Sequence, residues 1–174
     1  MLIFLDTEFT DLVESAKLIS LGLVAENGAT FYAETLPTLW RDEASDFVLA
    51  EVVPHLANTP ETRTEIASRL TAWLEDLPDP PTQFVLDSEY DWVHVWELFD
   101  EYGSWPACLA TRPVFFAPWS SENTAVQDAA EATRTAYFRE RGVPEHHALN
   151  DAHALRLSYL AVLRILDGQA DAPN

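Results

Sequence analysis

The chain has 174 residues, 48% apolar and 22% charged, the make-up of one globular domain with a sizeable core. Ten basic residues against 29 acidic ones leave a net charge of −19. Such a field excludes the broad basic footprint of a duplex-wrapping protein and suits concentrated cation sites or a soluble surface.

The first apolar run, "LIFLD" at 2–6, has strand length, and "MLIFLDTE" lacks the basic start of a secretory leader. "LISLGLVAENGATFYAET" then reads as two strands joined at Asn27-Gly28, a pair that favours a type I′ hairpin, giving a three-strand antiparallel meander. After a Pro- and acid-rich stretch, "NTPETRTEIASRLTAWLEDLPD" predicts a helix with Thr59 as cap and Pro60 at its first position. Its inner face would carry Ile66, Leu70, Trp73, Leu74 and Leu77. "TQFVLD" (82–87) reads as a buried strand, followed by a helix at "YDWVHVWELFDEYG" whose Trp92 and Trp96 are expected in the core. "RPVFFAPW" (112–119) is another strand, residues 121–141 a long helix stopped by Gly142 and Pro144. A last helix ends near Asp167, ahead of a disordered tail at 169–174.

The order β-β-β-α-β-α-β-α-α predicts one α/β domain over residues 1–168, a mixed sheet flanked by helices. No apolar run approaches ~18 residues, so no membrane span is expected. The single cysteine, Cys108, makes no internal disulfide, and a cytoplasmic protein follows as the expectation.

Three short stretches carry the chemistry. In "FLDTEF", Asp6 and Glu8 share one face of a strand, and two such carboxylates repel unless a positive charge lies between them. In "FVLDSEYDW", a strand ends at Asp87 and Asp91 stands in the first turn of a helix, where capping alone would also account for it. In "HHALNDAHAL", His146 precedes Asp151 by five residues, while His147 and Asp151 at i, i+4 admit a weaker zinc reading without further soft ligands. Asp6, Glu8, Asp91 and Asp151 together form a set of hard oxygen donors suited to Mg²⁺ or Mn²⁺. Two such ions can hold the attacking and leaving oxygens of a phosphodiester in line, with a histidine as base.

These stretches resemble, in order and spacing, the three motifs of the DEDD superfamily of 3′–5′ exonucleases, in the subgroup with histidine in the third motif. The resemblance covers about residues 2–165 and implies an RNase H-like fold with a five-stranded mixed sheet and two bound ions, Mg²⁺ or Mn²⁺. It implies Asp6, Glu8, Asp91 and Asp151 as metal ligands, with Glu8 also catalytic and His146 as general base. Asp87 stands where the family usually has Asn and Leu86 where it usually has His, so Asp87 enters as an auxiliary ligand. His147 is the neighbouring alternative to His146. Phe9 and Tyr90 are the candidates for stacking on a substrate base. The activity implied is stepwise hydrolysis of single-stranded RNA from its 3′ end. The chain looks closest to small bacterial exoribonucleases, which implies a homodimer. The same chemistry on DNA or short oligonucleotides, and a catalytically silent binding domain, stand as alternatives.

Overall fold

A computed structural model describes residues 1–81 and 83–170. Three strands open the chain: β1 (Leu2–Phe9), β2 (Leu18–Ala25) and β3 (Thr30–Thr35). A two-residue strand β4 (Pro60–Glu61) then precedes α1 (Arg63–Glu75), β5 (Gln83–Leu86) and α2 (Glu89–Tyr102). The last elements are β6 (Val114–Phe115), α3 (Thr124–Arg141) and α4 (Ala148–Ala170). The sheet order is β4-β3-β2-β1-β5-β6. Strands β1, β2 and β3 pair antiparallel, while β5 runs parallel to β1 and β6 parallel to β5. The expected α/β class and mixed sheet are present, with six strands among the described residues where five were expected.

The sixth strand corrects the reading of the first helix. Pro60 lies in β4, paired parallel to β3 at the sheet edge, where a missing N–H is tolerated. The helix is capped instead by Thr62, whose hydroxyl accepts from the Glu65 N–H while the Glu65 carboxylate accepts from the Thr62 N–H. The hairpin also differs from expectation. Positive φ occurs at Gly28 (φ 93) and not at Asn27, and the Gly28 N–H donates to the Ala25 carbonyl. A type I′ turn needs both residues left-handed, so this is a turn closed by a left-handed glycine, the bulged alternative. Between β3 and β4 the Pro-rich stretch forms short helical turns, and Trp40, Val48 and Val52 bury themselves against Ile19 of β2.

Both faces of the sheet are covered. Ile3 and Leu5 of β1 pack with Ile66, Leu70 and Leu74 of α1 and with Val95, Leu98 and Phe99 of α2. Phe4 of β1 and Val85 of β5 meet Leu155 of α4 on the opposite face, and α3 packs against α4 through Val126, Ala130 and Val162. Strand β2 is buried at every position, which explains its near-continuous apolar sequence. Trp96, expected in the core, is 41% exposed at the rim of a ring cluster with Trp92 and Trp105. Helix α4 continues past Asp167 and Gly168 to Ala170, so the helical part of the chain enters the expected tail, of which residues 171–174 lie outside the described residues. No helix among the described residues is long and apolar enough to cross a membrane.

One close approach fixes α4 on the sheet. Gly22 of β2 lies opposite Asp6 of β1. A Cβ at Gly22 would stand 2.3 Å from the backbone of Ala148 and Leu149, in the first turn of α4. Only glycine lets that helix start lie so near β1 and the Asp6 carboxylate.

Candidate metal centre

Alternation along β1 puts Asp6 and Glu8 on the same face as Phe4, toward α4, and Thr7 on the other. Strand β5 ends at Leu86, so Asp87 follows the carboxyl end of a strand next to β1. Ser88 caps α2, which sets Asp91 in its first turn, 2% exposed. The backbone N–H and hydroxyl of Thr7 donate to Asp91 Oδ1 at 3.0 and 2.7 Å. Asp91 Oδ2 is buried without a hydrogen-bond partner among the described residues. On α4, Asp151 Oδ2 accepts from the His147 N–H at 3.0 Å and Oδ1 accepts from Arg134 Nη2 of α3 at 3.1 Å.

Five carboxylates thus converge from β1, the end of β5, α2 and α4. Among the described residues, two groups have ligand atoms within 4.8 Å of one another: Asp6, Asp87 and Asp91, and Asp6, Glu8 and Asp151. Asp6 belongs to both. Each group can hold a metal ion, and no histidine or cysteine joins either.

Crowding and burial act in the same direction on these acids. Desolvation, then Asp91, Asp151, Glu8 and Asp87 in turn, hold Asp6 well above the usual carboxylate range. Glu8 is pushed up to about 8 by burial, then by Asp151 and Asp91. Asp91 also reaches about 8 through burial, against the opposing Thr7 hydrogen bond. Desolvation raises Asp87 and Asp151 too, and Arg134 opposes both rises. One guanidinium, Arg134, faces five carboxylates, and Asp91 Oδ2 has no partner among the described residues.

Two cavities meet over these acids. One, about 410 Å³, runs from Asp6, Glu8 and Asp91 past Phe9, Leu12 and Phe47 to His146. The other, about 380 Å³, is lined by Phe116, Trp119, Gln127 and Leu155. Asp6, Asp87, Arg134 and Asp151 line both, so the acidic centre is a saddle between two spaces of ligand size.

The two adjacent histidines part company. His146 takes a left-handed backbone (φ 59), which turns its ring into the first cavity, edge-on to Phe47 at 5.0 Å. The His147 ring stacks on Tyr32 of β3 at 4.7 Å and lines neither cavity. The i, i+4 pairing of His147 with Asp151 is made by the His147 backbone, which leaves the zinc reading without its imidazole. Phe9 reaches the first cavity, whereas Tyr90 stacks behind it at 5.2 Å and lines neither. Sequence reasoning did not single out three residues at this site. Thr7 holds Asp91, Gly22 seats α4, and Arg134 reaches Asp151 from α3. The contact of Thr7 was legible in principle, since a threonine between two acids has a hydroxyl to donate. No protein-family model matches the chain, and no curated protein matches it significantly.

Proposed function

We propose that this chain is a divalent-cation-dependent 3′–5′ exonuclease of the RNase H-like class, acting on single-stranded nucleic acid, RNA above all. The observation that carries the reading is the meeting of Asp6, Glu8, Asp91 and Asp151 from three distant stretches, in two carboxylate groups that share Asp6. The donor set fits Mg²⁺ or Mn²⁺: oxygens only, their pKa values raised by burial and then by mutual repulsion, with one buried oxygen unpartnered among the described residues. Leaving aside the two-residue β4, the mixed five-strand sheet with helices on both faces supports the fold expectation.

When bound, a pair of such ions supplies the positive charge that brings the scissile phosphate among the carboxylates and steadies the attacking and leaving oxygens. Asp6, Glu8, Asp91 and Asp151 would hold those charges, with Asp87 as an auxiliary. Thr7 fixes the orientation of Asp91. The His146 ring takes a proton from the attacking water as its oxygen bonds to phosphorus. The bond from phosphorus to the upstream 3′ oxygen breaks with its electron pair, freeing a 5′-nucleotide, and that oxygen takes a proton from solvent to become the new 3′-hydroxyl. Phe9, with Leu12 and Phe47 beside it, offers the apolar wall on which a terminal base stacks. A second reading, the same chemistry on DNA or short oligonucleotides, is favoured by one observation: Arg134 is the sole arginine or lysine among the residues lining the two cavities.

The test is direct. End-labelled RNA and DNA of several lengths are incubated with Mg²⁺ or Mn²⁺, and the ladders are read with and without EDTA. Stepwise loss from the 3′ end, abolished by EDTA, is the expected result. Full activity after exhaustive chelation, or no cleavage of any strand, overturns the proposal.

A further inference from the structure

The one guanidinium at the saddle stands where a cation is wanted. Arg134 lies on α3 with its guanidinium over the Phe138 ring at 5.0 Å. Nη1 donates to Glu145 at 2.8 Å and Nη2 to Asp151 Oδ1 at 3.1 Å. Both oxygens of Asp151 are therefore engaged, one by Arg134 and one by the His147 amide. An ion held by Asp6, Glu8 and Asp151 would compete with these two donors for the Asp151 lone pairs. The amide is fixed at the start of α4, whereas the Arg134 side chain is 41% exposed and keeps a second anchor in Glu145. A divalent cation beside Asp151 also repels the guanidinium directly.

We propose that Arg134 is a displaceable counter-ion: it neutralises Asp151 in the cation-free protein, yields that carboxylate to an entering divalent cation, and then binds a phosphate of the strand lying across the saddle. The destination is already prepared. Arg134 lines both cavities, so its side chain already borders either space while paired to Glu145. A guanidinium presents a planar fork of donors matched to phosphate oxygens. A chain of net charge −19 has few other cations to offer an anionic strand at this point. The phosphate half rests on the exonuclease reading, whereas the displacement half does not.

The two halves predict effects of opposite sign. Calorimetric titration of Ca²⁺, without nucleic acid, should give tighter binding to Arg134→Gln than to the wild type, by about 2- to 5-fold, the worth of a partly exposed ion pair. Glu145→Gln, at an exposed position, should bind Ca²⁺ more weakly, because Arg134 is left with Asp151 as its remaining carboxylate. At saturating Ca²⁺, fluorescence anisotropy with a short single strand should show Arg134→Gln weakened about 10-fold or more, as loss of a charged hydrogen bond implies. Arg134→Lys should recover part of that loss. A purely structural staple between α3 and α4 would weaken both kinds of binding together. Cation affinity unchanged or reduced in folded Arg134→Gln, or increased in Glu145→Gln, overturns the displacement. Tighter cation binding with unchanged strand binding overturns the phosphate role. If no protein, wild type included, binds the strand, the exonuclease reading and the phosphate role fall together, and the cation titrations still decide the displacement.

Discussion

Asp91 is held by a neighbour whose identity matters more than its position between two acids suggests. Thr7 donates twice to Asp91 Oδ1, and the hydroxyl is the half a substitution can remove. Thr7→Val keeps the shape and the amide but removes one of the two hydrogen bonds that hold the carboxylate, so affinity for Mn²⁺ should fall about 10- to 100-fold, the usual cost of losing an outer hydrogen bond to a metal ligand. Calorimetry on the variant measures this, and an unchanged affinity would show that the amide suffices. Asp6→Ala, Glu8→Ala, Asp91→Ala and Asp151→Ala should each remove nearly all turnover while the cation-free protein stays folded, because each relieves repulsion in a crowded cluster. Turnover surviving in Asp91→Ala but lost in Asp87→Ala would reassign the second motif. His146→Ala should lose roughly 10²-fold in rate, and His147→Ala less, since only the first ring faces the cavity. Steady-state kinetics on both variants decides the ranking. The carboxylates were legible because repulsion between Asp6 and Glu8 poses a question to which a shared cation is one answer, and two distant stretches supply further acids. Arg134 was not, because nothing in a helix of mixed charge marks which guanidinium faces inward.

At the scale of elements, the site depends on how closely α4 can approach β2. Ala148 and Leu149 sit against Gly22, and two residues further on Asp151 reaches the same acids as Asp6. Gly22→Ala places a methyl group where backbone already stands, 2.3 Å away, and backbone has no rotamer by which to yield. The start of α4 must lift, at a cost of about 1–3 kcal/mol in stability, typical of overpacking. A displacement near 1 Å of Asp151 and His146 should lower turnover by about 10²-fold. Thermal unfolding and kinetics on this variant test both effects, and wild-type turnover would show that α4 is seated by other contacts. Periodicity and end signals located most elements, since Gly103 and Gly142 do end α2 and α3 in left-handed conformations. They failed where tertiary contacts decide. Pro60 looked like the start of a helix because its pairing partner in β3 is distant in sequence. Gly22 looked like an ordinary residue in an apolar strand, because the helix that needs its missing side chain arrives more than a hundred positions later.

For the whole molecule, the acids store a cost that depends on pH. Glu8 and Asp91 are pushed from ordinary values of 4.5 and 3.8 up to about 8, chiefly by burial. Between those limits the unfolded chain has released protons that the native state retains. The native state then binds more protons than the unfolded one, so stability falls as pH rises through the window and levels off above it. The cation-free protein should therefore melt at a lower temperature at pH 8 than at pH 5, at roughly 2–4 °C for each kcal/mol lost in a chain of this size. Mn²⁺ or Mg²⁺ should recover the loss, more at pH 8 than at pH 5, because cations bind ionised carboxylates and must displace protons at the lower pH. The net charge of −19 works in the same direction through surface repulsion, but salt screens exposed charges far more than buried ones. Thermal scans at about 0.5 M salt, where the screening length is only a few Å, separate the two contributions. Glu8→Gln gives the decisive comparison, because it removes one titrating acid from the cluster and alters the surface little. Its melting temperature should vary less with pH than that of the wild type. A wild-type melting temperature that is flat or rises between pH 5 and pH 8, or a Glu8→Gln profile parallel to it, would place the pH dependence outside the acidic centre.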